Sequence, residues 1–166
     1  MVESEQGAIR NVTFLCTNAT GVYIGTNTGD AYILDNKRMK FKPIFSKVGC
    51  DIVDMALLDS VLYVLSECGG LLALNVTGHK EIKQYDFFYP EGDTRVSARS
   101  LFVDKFKHVW ITGQRGIYSL DPFTDKYTHY QYDKTDTYGM PSSSMWKISE
   151  DYQGNLWFGT NPVLNK

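Results

Sequence analysis

Leu156-Trp-Phe-Gly-Thr160 decides the fold, because three earlier stretches match it without gaps: Val22-Tyr-Ile-Gly-Thr26, Leu62-Tyr-Val-Leu-Ser66 and Val109-Trp-Ile-Thr-Gly113. Their aromatic residues, Tyr23, Tyr63, Trp110 and Trp157, stand 40, 47 and 47 residues apart. That period is close to the length of one four-stranded propeller blade. The flanks repeat as well. Six residues after the aromatic comes Gly29, Gly69 or Gly116, and eleven or twelve after it comes Asp35, Asn75 or Asp121. Upstream, an apolar alternation ends in an acidic turn, as Ser100-Leu-Phe-Val-Asp104 in the third unit and Met145 to Asp151 in the fourth.

Each full unit reads as four strands; in the third they span about residues 98–103, 108–112, 116–120 and 126–132. The second strand is apolar at consecutive positions (Val109-Trp110-Ile111, Leu156-Trp157-Phe158), which predicts burial on both faces, as in a blade between two neighbours. In the fourth strand Tyr130 and Tyr132 alternate with His129 and Gln131, the pattern of an outer edge. Asp104 and Asp151 are expected to accept backbone N–H bonds in the first turn of their units, and Gly154 to take the positive φ that turn needs. Trp110 and Trp157 are read as core between blades, and Trp146 as either core or a residue near one end of a blade. A helix over 52–65 is rejected, because Val53, Val61 and Val64 interrupt it without a sustained 3.6 period.

The expected fold is therefore all-β, a β-propeller fragment of about three and a half four-stranded antiparallel blades. The units run over about 8–47, 48–92, 93–138 and, as a half-blade, 139–166. Only two strands are expected in the last, since Pro162 cannot donate a ladder hydrogen bond. Nothing in the sequence closes the ring. The chain reads as a domain fragment, a truncated frame, or a chain that closes with a second copy, two copies giving about seven blades.

Composition narrows the function. Among 166 residues, 43% are hydrophobic and 22% charged, which is globular rather than disordered. With 17 basic against 19 acidic residues and one short basic cluster at Lys37-Arg38-Met39-Lys40, no nucleic-acid partner is expected. No stretch reaches the roughly 20 apolar residues of a membrane helix, so no membrane contact is expected either. Met1 to Gln6 is acidic and polar and does not read as a signal peptide. Cys16, Cys50 and Cys68 lack metal-ligand spacing and are read as small thiols buried on strands. His79, His108 and His129 form no cluster, and His108 has no carboxylate partner evident in the sequence. No cofactor is called for, and there is no nucleophile motif, so the chain is read as non-catalytic.

Ile148-Ser-Glu-Asp-Tyr-Gln-Gly-Asn-Leu-Trp-Phe-Gly-Thr160 resembles the two-component regulator propeller repeat, which reads approximately I-x-x-D-x-x-G-N-L-W-I-G-T, then G-L and a later D. The third unit, Leu101 to Asp104, Trp110 to Thr112 and Gly116 to Asp121, is similar to it. The second shortens the acidic turn to Leu58-Asp-Ser-Val61, and the first keeps Tyr23 to Thr26 and Gly29 without that turn. The resemblance implies a piece of the large periplasmic sensor propeller of a Bacteroides-like hybrid histidine kinase. It further implies an oligosaccharide or other small-molecule ligand, with kinase and DNA-binding parts elsewhere in the polypeptide.

A ligand is expected where the loops before strand one and between strands two and three converge. Asn27, Gln114, Arg115 and Asn161 lie in the latter loops, and Arg95 and Ser142 to Ser144 in the former. Arg115 is the leading candidate, since a guanidinium pairs with a ligand carboxylate or with a partner's acidic residue; ordinary solvated loop polarity is the alternative for all of them. A second reading is a scaffold for protein contact or homodimerisation, with Tyr127, Tyr130 and Tyr132 as contact aromatics and packing of the outer strand as their alternative role. A propeller lyase or hydrolase comes third.

Overall fold

A computed structural model of the chain describes residues 3–4, 7–18, 21–46, 51–67, 70–78, 80–85, 98–160 and 164–165. Its contacts divide the chain into two compact units, Met1–Arg95 and Val96–Lys166. The fold is all-β, built from the antiparallel sheets of β-propeller blades.

The first unit begins with two short strands, β1 (Glu3–Ser4) and β2 (Gly7–Ala8). A four-strand meander follows: β3 (Val12–Asn18), β4 (Gly21–Thr26), β5 (Asp30–Asp35) and β6 (Lys40–Ser46). The second meander is β7 (Ile52–Leu58), β8 (Val61–Ser66), β9 (Gly70–Asn75) and β10 (Lys80–Tyr85). β1 pairs in parallel with β6, so the first sheet has six strands in the order β2-β1-β6-β5-β4-β3. The 40- and 47-residue repeat does not foreshadow those two added strands. Tyr23, the aromatic of β4, is 1% exposed, and its cluster includes Met55, Val64, Leu72 and Leu74 from the following sheet.

The second unit holds β11 (Ala98–Val103), β12 (Val109–Gly113), β13 (Gly116–Asp121) and β14 (Lys126–Tyr130), then β15 (Met145–Glu150), β16 (Leu156–Thr160) and β17 (Leu164–Asn165). β14 stops at Tyr130, two residues short of the expected end. The expectation of two strands in the last sheet is corrected: β17 pairs with β16 through Phe158–Asn165 and Gly159–Leu164. The strand resumes two residues past Pro162, where backbone N–H groups are again available for a ladder.

Two side-chain devices set the hairpins. In the turns after β5, β9 and β13, Asp35, Asn75 and Asp121 accept N–H bonds from the residues two and three positions on, at 2.8 to 3.3 Å. In the turns after β11 and β15, Asp104 Oδ1 accepts from Phe106 and His108, and Asp151 Oδ1 from Gln153 and Asn155. The other oxygen of each reaches a tryptophan six residues along: Trp110 Nε1 donates to Asp104 Oδ2 at 2.7 Å and Trp157 Nε1 to Asp151 Oδ2 at 2.9 Å. The indoles expected as plain core are therefore also polar anchors. Where the aromatic is tyrosine, at Tyr63, the turn before it is the short one around Asp59 and Ser60. The positive φ expected at Gly154 is 89°, and Lys107 holds the equivalent place at 70°.

Gly116, at φ 108°, closes the β12–β13 turn, and a Cβ there would run into the carbonyl oxygen of Tyr130. Gly116→Ala is expected to cost about 2–4 kcal/mol in urea unfolding, from backbone strain and overlap together. Trp110→Phe keeps an aromatic ring but leaves the buried Asp104 carboxylate a donor short, and the expected loss is about 1.5–3 kcal/mol by the same measurement. Trp157 and Asn155 hold the Asp151 carboxyl below its usual range, and Lys42 lowers that of Asp35 to about 2. A group depressed in the folded state stabilises fully above its unfolded pKa of about 3.9 and loses that contribution as pH falls through the folded value. Asp151→Asn should therefore flatten part of the stability decline below pH about 4, read from melting temperatures across that range.

Candidate functional site

β3, β7, β11 and β15 each carry a β-bulge at the second residue. The register slips between Val12 and Phe14, Ile52 and Asp54, Ala98 and Ser100, and Met145 and Lys147. Thr13, Val53, Arg99 and Trp146 are the extra residues. A bulge leaves its residue outside the ladder and re-aims the side chain. Ala98 pairs with Gly113, and Gly113 with Gly116, so the bulged end of β11 adjoins the Gln114–Arg115 turn. The start of β11 and the Gln114–Arg115 turn therefore lie at the same end of that sheet.

In the second unit that end is well ordered by its own chemistry. Gln114 is exposed and Arg115 half-buried. His129 Nε2 donates to the Arg115 carbonyl at 2.8 Å while its Nδ1 accepts from the Gln131 amide, which sets the tautomer and pins the turn. The His129 ring stacks on Tyr118 with centres 3.9 Å apart. Burial raises the Tyr118 phenol pKa, with the Arg115 charge pulling the other way and Tyr127 adding to the rise. Ser144 N–H donates to Ser142 Oγ at 3.1 Å, fixing the approach to β15. Trp146 is 54% exposed, which overturns its reading as core; the bulge turns it out of the alternation that buries Met145 and Ile148. Arg99 lies over the Trp146 ring and bonds Ser144, and sequence reasoning missed it. Its alignment with Trp146 one repeat later was the available signal.

The remaining sequence candidates divide. Asn27 is exposed in the β4–β5 turn of the first unit, where its N–H donates to the Asn11 carbonyl at 3.1 Å. Beside it Thr26, Thr28, Asp30 and Ser46 bond one another. Arg95 and Asn161 fall outside the described residues. A concavity of the second unit, about 400 Å³, is lined by Trp110, Ile117, Tyr130, Met140, Met145 and Phe158 among others.

Residues 139–161 match the family model described as two component regulator propeller, which bears out the resemblance read from the fourth unit. No curated protein matches the chain in sequence. Among solved structures, the extracellular domain of the putative hybrid two component system BT4673 from B. thetaiotaomicron matches with a TM-score of 0.80 at 17% identity. The match covers 98% of this chain and 22% of that one. The corresponding BT3049 domain from the same organism matches at a TM-score of 0.60 and 16% identity, over 93% of this chain and 26% of that one. Virginiamycin B lyase from Staphylococcus aureus matches at 0.71 and 12% identity, over 94% of this chain and 54% of that one. These identities establish a shared fold, and the chain spans about a fifth of the BT4673 domain.

His108 is corrected: its Nδ1 lies 3.3 Å from Asp104 Oδ2, a carboxylate four residues upstream. Asp104 already accepts from two backbone N–H groups and an indole, so it orients the imidazole as part of the turn. The pair sits at the start of β12, the opposite end of that strand from Gln114 and Arg115. No group of three His, Cys, Asp or Glu fit to hold a metal occurs among the described residues. Of the cysteines only Cys16 is described; it is a half-buried free thiol on β3. Burial, with Asp54 adding to it, pushes its pKa up to about 12, so it stays protonated. Cys16 is expected to react with iodoacetamide at pH 8 more than about tenfold slower than a small free thiol, followed by mass spectrometry of its peptide.

Proposed function

We propose that this chain is part of the extracytoplasmic sensor propeller of a two-component system and binds its ligand without catalysis. The observation that carries the reading is the two-component regulator propeller match at residues 139–161, together with the gathering of the bulged strand starts and the Gln114–Arg115 turn at one end of the second unit. The extracellular placement of the B. thetaiotaomicron neighbours supports a location outside the cytoplasm. An oligosaccharide is the ligand class that this end suits. An exposed indole offers a flat apolar face, and Gln114, Ser142, Ser144 and Arg115 offer polar groups for ring hydroxyls. Asn27 belongs to the equivalent turn of the first unit and is proposed as a contact there.

The favoured position of the reactive groups supports binding over turnover. His108 and Asp104 lie at the far end of β12 from these candidates, where their bonding closes a hairpin. A role in protein contact is the second reading. It is favoured by Tyr127, Tyr130 and Tyr132 on and just past β14, which are 51%, 45% and 44% exposed. Closure of a ring by a second copy belongs to this reading.

Screening the chain against an array of neutral and acidic oligosaccharides, followed by titration calorimetry, tests the proposal. Gln114→Ala and Arg115→Ala should each weaken the captured saccharide about tenfold with an unchanged melting temperature. Affinities unmoved by both changes would remove the site. A chain that captures no saccharide but sediments as a dimer would favour the second reading.

A further inference from the structure

We propose that Arg99 and Trp146 form a recognition site for a carboxylate carried on a sugar ring, so that the sensor end selects an acidic saccharide; this rests on the ligand-binding reading above. Both residues occupy the bulged second position of a first strand. The guanidinium carbon of Arg99 lies 3.7 Å from the centre of the Trp146 ring, and one of its N–H groups donates to Ser144 Oγ at 2.8 Å. The cation–π contact and the hydroxyl together restrain the guanidinium. No carboxylate pairs with Arg99 among the described residues, although the residue is half-buried.

A guanidinium has five N–H donors in a planar fork, and a hydroxyl takes one. The rest suit the two oxygens of a carboxylate, which binds such a fork through parallel hydrogen bonds. Partial burial strengthens that pairing relative to an open surface. The exposed part of Trp146 lies beside the charge, where the apolar face of a pyranose can rest.

Sealing the seam between adjacent sheets does not require these residue types. In the first unit the bulged Thr13 performs that task, its hydroxyl donating to the Ile52 carbonyl of the next sheet at 3.0 Å. A neutral side chain serves there without placing a charge in a half-buried position. The third and fourth sheets are also joined at their other end, where Lys105 donates to Glu150 and to the Gln153 carbonyl. Arg99 is thus surplus to cohesion and oriented for an anion.

Calorimetry of the chain with trigalacturonate and with neutral galactotriose provides the test. Trigalacturonate should bind at least about tenfold tighter than galactotriose. Arg99→Lys keeps the charge and loses the fork and the stacking, so it should erase most of that preference while melting like the parent. Arg99→Gln should abolish the preference, and Trp146→Ala should weaken both sugars. Equal affinity for the two sugars, or a preference unchanged by Arg99→Gln, overturns the carboxylate assignment. The ligand-binding reading then survives if Gln114→Ala and Arg115→Ala still weaken galactotriose. Binding of neither sugar by a correctly folded chain also overturns the assignment, and the reading itself then stands or falls on the array.

Discussion

Asp104 and Asp151 each hold two things at once, the backbone of a hairpin with one oxygen and the indole of the next strand with the other. The remainder of the second unit depends on that double grip. It fixes where β12 and β16 begin relative to β11 and β15, and so where their far ends arrive. It also gives the half-buried indole N–H an acceptor, which an apolar seam between sheets would deny it. The ring itself remains free to pack, as Trp110 does against Phe158 with centres 6.0 Å apart. One carboxylate thereby joins turn geometry to interior packing.

The strand pattern was legible because it rests on composition at fixed intervals. Consecutive apolar residues in 109–111 and 156–158 announce strands enclosed on both sides, and Asp35, Asn75 and Asp121 recur eleven or twelve residues past the aromatic. The pairing of Asp104 with Trp110 was also present, as a six-residue interval seen again at Asp151 and Trp157. Its meaning stayed hidden while the acid was assigned to the turn and the ring to the core. The His108–Asp104 contact was missed because the two residues are four apart across a bend, where sequence distance says little about direction.

The bulges were not legible at all. A bulge is a property of register between two strands, and Thr13, Val53, Arg99 and Trp146 share no side-chain chemistry that marks them. Arg115 drew attention as a cation in a short turn, and the structure leaves it half-buried beside Tyr118 and His129. Arg99 falls inside the strand expected over residues 98–103. Only the local slip between Ala98 and Ser100 separates it from the alternation around it. The candidate site was therefore located by loop topology, while its most ordered members came from the ladder.

That slip has a consequence for how such a chain changes over time. Ordinary strand positions are bound by the in-and-out rule, so an altered residue must suit the interior or the solvent. A bulged residue is exempt from that count. Hydroxyl, branched aliphatic, guanidinium and indole already occupy the same place in four successive sheets without altering the strands around them. The bulged start of each meander is thus an address that can be rewritten alone, and a lineage can acquire a new chemical preference there by single steps while the architecture is inherited intact.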